Sequence, residues 1–438
     1  MKTSVVVSAI CGLLAGILPA WAQSDMITRM TRVGVMRPGS NTPAPPPTDA
    51  YCRANFGFPC YSPQEIQAAY GVAPVLSKGF QGTGQTIVIV VSYGSPTIAA
   101  DLKVFDAGYG LPDPPSFTVL APFGTVPFNP NNQAQVNWAA ETTLDVMWAH
   151  AMAPGAKIVV LTSPVDETQG TQGLRLFLQL EQYALEQHLG QIISQSWGTA
   201  ENTLFTPEGR VLLQQFEALY QRAAQQQVTV LAAAGDTGTS NVDVNNNPYP
   251  FPTVVYPACS PWVTAVGGTT LNADTNGNYQ SETVWNNSTG ATGGGVSQQF
   301  AEPLYQASLP AAAQTILGGH RGMPDLALNA DFNTPILIYV GFFPNADQNG
   351  YYAVGGTSAA APQWGGIIAD VNQLAGFPLG FLNPRLYSLG ENGGLFHDIS
   401  VGNNAFNGLP GYTAAPGWDP TSGWGTPNVS TLAAALAH

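Results

Sequence analysis

The stretch AVGGTSAAAPQWGGIIADV, residues 353–371, ends a short apolar run at two glycines, follows them with Ser358, and leads through small residues into a helical pattern. A serine placed there stands at a helix N-terminus. Unpaired backbone N–H groups and the positive end of the helix dipole would stabilise an oxyanion forming on a substrate attached to it. The same spacing fits Ser358 or Thr357 as a plain helix cap, a common role for these residues. A nucleophilic serine needs a base, and none of the five histidines (His150, His188, His320, His397, His438) has a His-Gly-Thr context. Ala360 stands where the second glycine of a Gly-x-Ser-x-Gly elbow belongs, so that elbow is absent and an Asp/His/Ser triad is poorly supported.

Carboxylates are the remaining candidates for the base. Glu141 and Asp145 stand four apart in WAAETTLDVMWAHAMAP, an otherwise apolar, helix-patterned segment. Residues at that spacing share a helical face. Two acids there without a basic partner repel when both are ionised, so one pKa rises and the pair can share a proton, as a general acid/base must. The competing reading is a solvated face carrying two unrelated acids. A third acid, Asp236, follows the apolar run VTVLAAAG and precedes Thr-Gly-Thr-Ser, at the carboxyl end of an expected strand. Protonated, it could donate a hydrogen bond to an oxyanion; the alternative is an ordinary Asx-turn.

These residues need a scaffold. Continuous apolar runs such as TIVIVVSYG (86–94), AKIVVLTS (156–163) and VTVLAAAG (228–235) alternate with helical patterns such as LRLFLQLEQYALEQH. That alternation predicts an α/β fold, with a mostly parallel sheet covered by helices on both faces. Gly79, Gly82 and Gly84 precede the first strand, the wrong order for a dinucleotide-binding turn. Gly293-Gly294-Gly295 reads as a flexible loop or as backbone lying close to a ligand.

Residues 1–22 carry a basic start, an apolar stretch and the small-residue site Ala20-Trp21-Ala22, the pattern of an export signal. Residues 23–50 are proline-rich and read as an arm; residues 51–438 are expected to form one large domain. The product is expected to be secreted or periplasmic, monomeric and without a membrane span. In an oxidising compartment Cys52 and Cys60 are placed for a local disulfide, leaving Cys259 as a buried, inert thiol. A content of 45% apolar residues rules out disorder, and a net charge of −14 argues against nucleic-acid binding. The low charge content of 9% suits an acidic habitat and equally a merely acidic secreted protein.

Taken together, Glu141-x-x-Leu144-Asp145, AAAGDTG with Asp236, YPACSPWVTAVGGT (256–269), GGTSAAAP with Ser358, and DIS (398–400) with GWDPTSGWGTP (417–427) resemble the sedolisin, or serine-carboxyl, peptidase family. The resemblance covers residues 51–438. It implies a subtilisin-like fold and a secreted, acid-active endopeptidase acting on proteins or peptides through an acyl-enzyme. Ser358 would be the nucleophile, Glu141 the general base, Asp145 its orienting partner and Asp236 the oxyanion donor. It further implies one structural Ca²⁺ held by Asp398 and Asp419 and by the carbonyls of Ile399, Ala415 and Gly417. Read without the family, those two acids would be turn formers.

Two departures stand out. The family's long pro-region would have to be matched here by residues 23–50 alone, so unaided folding and help from a separate protein are both open. The first strand continues as VVSYGSP, with no acid where some relatives add a carboxylate around the base. Trp197 is either a wall of the substrate groove or simply core. A silent relative binding peptides or cell-wall material, and an esterase or amidase using the same serine, are the competing readings.

Overall fold

The structure, a computed structural model, describes residues 30–34, 44–167 and 171–438; the expected export signal at residues 1–22 lies outside them. In chain order the strands that frame the site are β1 (Thr31–Arg32), β2 (Thr86–Ser92), β3 (Phe117–Leu120), β4 (Lys157–Ser163), β5 (Ile192–Gln195), β6 (Thr229–Ala233), β7 (Thr264–Ala273), β8 (Tyr279–Val284), β9 (Leu326–Asn329), β10 (Ile336–Val340) and β11 (Gly350–Val354). The helices that matter are α1 (Gln133–Met152), α2 (Thr171–Glu186), α3 (Pro207–Gln225) and α4 (Thr357–Ala375).

The central sheet runs β8-β7-β6-β5-β2-β4-β3, and β9 also pairs with β7. Only β8 on β7 is antiparallel; the other pairings in this sheet are parallel. All seven residues of β2 are buried although their side chains alternate between faces, so both faces of the sheet are covered. Each Val or Ile buried there contributes roughly 1.5–3 kcal/mol. This is an α/β fold with a mostly parallel central sheet, as the alternation of apolar runs and helical patterns predicted.

Helices α1 and α4 carry the candidate chemistry and pack on each other as well as on the sheet. Asn132 caps α1 by accepting from Gln135 N at 3.3 Å, and every residue from Gln135 to Met152 is buried. A helix enclosed on all sides needs no polar stripe, and its polar residues, such as Asn137, Thr142 and His150, are accordingly scattered around it and not gathered on one face. In α4 residues Thr357 to Asn372 are likewise buried, and Gly376 ends the helix at φ 77°. The two helices meet through backbone: a Cβ on Gly366 would lie 2.5 Å from Met152 Cβ and 2.8 Å from Ala149 O.

The proline-rich arm contributes to a second, antiparallel sheet. Thr31 and Arg32 pair with Ala353 and Tyr352, and β11 pairs in turn with β10. Cys52 and Cys60 form a disulfide with Cα atoms 5.8 Å apart, while Cys259 is free and buried. Helix α2 ends at Glu186, so His188 lies just beyond it, exposed and at φ 49°. No helix among the described residues is long and apolar enough to cross a membrane.

Candidate active site

The structure brings Glu141, Asp145 and Ser358 together where α1 and α4 pack, and adds Ser196, the residue after β5. Gly356 is the N-cap of α4 and makes no side-chain cap. Thr357 and Ser358 are therefore already inside the helix, and the plain-cap reading of either residue falls. Pro362 lacks an N–H, so it cannot donate to the carbonyl of Ser358 one turn earlier. Ser196 Oγ lies against that freed carbonyl at 3.4 Å.

The same Ser196 hydroxyl donates to Asp145 Oδ1 at 2.8 Å. Glu141, Asp145, Ser196 and Ser358 are all buried, which removes the solvated-face reading of the acid pair. Burial pushes the Glu141 pKa well above the usual carboxylate range, the charge of Asp145 adds to the rise, and the hydroxyls of Ser358 and Ser196 pull it back. The Asp145 pKa is also raised by burial, with Ser196 opposing. Glu141 Oε1 and Asp145 Oδ2 are both buried without a hydrogen-bond partner. His150, on the same helix, instead places Nε2 2.8 Å from Pro112 O and 3.3 Å from Asp106.

Asp236 sits just beyond the carboxyl end of β6 and faces the start of α4. Its Oδ1 accepts from Thr357 N and from Thr357 Oγ1, each at 2.8 Å. Thr357 Oγ1 in turn accepts from Gly235 N at 3.0 Å. A Cβ on Gly356 would fall 2.7 Å from Asp236 Oδ2, so only glycine admits the carboxyl at that distance. The contact to Thr357 replaces the local Asx-turn as the bond that fixes this side chain.

The loop carrying Asp236 is braced from behind. Gly293 N donates to Gly235 O at 2.7 Å, and Ala291 N to Asp236 O at 3.0 Å. The triple glycine is thus backbone closely approached by other backbone, since a Cβ on Gly293 would overlap Ala234 O. Trp197 is core, as one of the two readings has it, and also borders the recess beside Ser358. Its ring packs edge-on to Phe177 in the core with centroids 4.7 Å apart, and it lines the pocket that contains Asp236 and Ser358.

Of the expected cation ligands, Asp398 Oδ2 accepts from Gly417 N at 3.0 Å and Asp419 Oδ2 accepts from Ala415 N at 3.1 Å. Both acids therefore reach the 415–419 loop, with Ile399 buried beside them. Asp419 Oδ1 also accepts from Thr421 N and Ser422 N, at 2.8 and 3.0 Å. Among the described residues no group of three or more His, Cys, Asp or Glu side chains could hold a metal ion. A cation here would complete its shell with carbonyl oxygens, and an all-oxygen set is what Ca²⁺ takes.

Ser196 and the anchoring role of Thr357 were not among the residues singled out by sequence. The available signals were a serine, Ser196, directly before Trp197-Gly198 at the end of the strand pattern QIISQ, and a hydroxyl directly before Ser358.

The Subtilase family pattern matches residues 124–378. Kumamolisin of Bacillus sp. (strain MN-32) is 35% identical over 384 residues, 86% of this chain and 63% of that protein. Sedolisin of Pseudomonas sp. (strain 101) is 31% identical over 385 residues, 85% of this chain and 61% of that protein. The chain thus spans about three fifths of the length of these curated relatives. Among solved structures, Pseudomonas sedolisin, a serine-carboxyl proteinase complexed with two molecules of pseudo-iodotyrostatin, superposes with a TM-score of 0.70. It is 29% identical, and the match covers 86% of this chain and 98% of that one.

Proposed function

This chain belongs to the sedolisin branch of the subtilase family, and we propose that it is an exported, acid-active serine-carboxyl endopeptidase. The observation that carries the reading is the buried group of Ser358, Glu141, Asp145 and Ser196, in which a carboxylate takes the place of imidazole. Ser358 Oγ attacks the scissile carbonyl while its proton passes to Glu141. The tetrahedral oxyanion is met by a proton on Asp236 and by the N-terminal dipole of α4. Glu141 then returns its proton to the leaving amine, giving an acyl-enzyme, and water repeats the two steps in place of the amine.

Acid preference follows from two requirements. The Glu141–Asp145 pair works with one proton between its members, and that proton would supply the missing partner of Glu141 Oε1 and Asp145 Oδ2. Asp236 must carry a proton to donate, and an ionised carboxylate cannot. Export is supported by the signal pattern of residues 1–22 and by the Cys52–Cys60 disulfide. A single Ca²⁺ bound by Asp398, Asp419 and the carbonyls of Ile399, Ala415 and Gly417 would pin the 415–419 loop to the body.

The test is digestion of an unfolded protein from about pH 3 to 7 by wild type and Ser358→Ala. Cleavage by wild type, strongest at the acid end and absent in the variant, is the expected result; equal digestion by both would end the proposal.

A further inference from the structure

The pocket beside the nucleophile is lined by Trp197, Gly198, Asp236, Asn241, Val255 and Thr357, with Ser358 at its edge. In acyl transfer at a serine, the side chain adjoining the attacked carbonyl enters the recess next to the nucleophile and the oxyanion site. Here that recess has a volume of only about 30 Å³. An apolar cavity that takes a benzene ring measures about 150 Å³, so the recess falls well short of the space a ring needs.

One side chain is responsible for the small size. Gly198 and Gly235 form facing walls whose lack of side chains would otherwise leave a wide slot. A Cβ on Gly198 would overlap Val255 Cγ1, and one on Gly235 would lie 2.9 Å from Val255 Cγ2. The isopropyl group therefore touches both walls and fills the slot between them. It is held rigidly: Val255 is 8% exposed, pairs with Ala200, and its carbonyl accepts from Cys259 N at 2.9 Å.

The rest of the lining holds one acid, Asp236, among neutral residues. Asn241 Nδ2 donates to Thr253 Oγ1 at 2.9 Å, and Asp236 Oδ1 is occupied by Thr357. Asp236 is the sole acid in the lining, and the proposed reaction keeps its Oδ2 for the oxyanion.

We propose that Val255 sets the specificity of this site, confining cleavage to bonds that follow a small uncharged residue, alanine or serine. The inference rests on the peptidase reading above and names the substrate class of the same site. Removing the two methyl groups reopens the slot between Gly198 and Gly235, whereas threonine preserves its shape.

The experiment measures kcat/KM at acid pH for peptides that differ only at the residue before the scissile bond: Ala, Ser, Leu, Phe and Arg. Wild type is expected to favour Ala and Ser over Phe by about tenfold or more. Val255→Ala is expected to shift the Phe-to-Ala ratio toward Phe by about tenfold, and Val255→Thr to keep the wild-type order. Phe or Leu cleaved as well as Ala by wild type overturns the proposal, as does an unchanged ratio in a Val255→Ala enzyme that still cuts the Ala peptide. Should that variant cut nothing, the wild-type ranking decides alone. If wild type cuts none of the peptides the peptidase reading itself fails, whereas cleavage without preference for small residues removes only the role of Val255.

Discussion

The backbone N–H and the hydroxyl of Thr357 both donate to Oδ1 of Asp236, each at 2.8 Å. Oδ1 is thereby committed as an acceptor, so a proton on this carboxyl resides on Oδ2. Asparagine preserves that polarity, accepting through Oδ1 from Thr357 and donating through Nδ2 at any pH. Asp236→Asn is expected to keep partial activity at acid pH, while Asp236→Leu loses about 100- to 1,000-fold in kcat. Profiles of kcat against pH for the two variants check this; equal losses in both at every pH would contradict it.

Ser196 joins Asp145 Oδ1 at 2.8 Å and opposes the rise in pKa of both carboxyls of the pair. With Ser196→Ala that opposition is gone and the pair binds its protons more tightly. Ionising the base then requires a higher pH, so the acid limb of kcat/KM should move upward, with a loss of about tenfold at the acid end. A limb that stays in place, or moves to lower pH, would show that Ser196 does not act on the pair.

Asp370 lies on α4, three turns beyond Ser358, fully buried, with neither carboxylate oxygen hydrogen-bonded. Burial alone raises its pKa well above the usual aspartate range. A group raised in the folded state contributes stability that is complete below its unfolded pKa, about 4, and is lost as pH climbs through the folded value. Asp370→Asn should melt like wild type near pH 3 and a few degrees higher near pH 7. Thermal melts at the two pH values decide; a variant less stable than wild type at neutral pH would point to a partner that satisfies the ionised form.

Excess chelator is expected to lower Tm if Ca²⁺ binds at the 415–419 loop, and Asp398→Asn should abolish that sensitivity. Asp398 suits the test better than Asp419, whose carboxylate also accepts from Thr421, Ser422 and Ala415. Chelation that leaves Tm unmoved would remove the ion from the proposal.

Sequence conveyed the sheet well, because a strand buried on both faces is an uninterrupted Val/Ile run such as residues 87–91. It also conveyed the Glu141–Asp145 pair, whose spacing is local, and the place of Ser358 after two glycines. What it left out depends on pairings across long stretches of chain. Ser196 acquires meaning only when β5 brings it beside α1, and Val255 only when Gly198 and Gly235 face it. Thr31 and Arg32 lie in a proline-rich stretch with no periodicity, and their partners are more than 300 residues away. Asp370 drew no notice in the sequence, because the enclosure of α4 on all sides is a tertiary fact.

Gly366 follows Ser358 by eight residues and Ala149 follows Glu141 by eight, and these two positions meet backbone to backbone. The separation of Ser358 from Glu141, which the proposed proton transfer must cross, is thus inherited from two bare rods pressed flush against each other, about 12 Å away. Surface loops can lengthen, shorten or change without retuning that gap, while a single methyl group at the point of contact would wedge the rods apart and widen it.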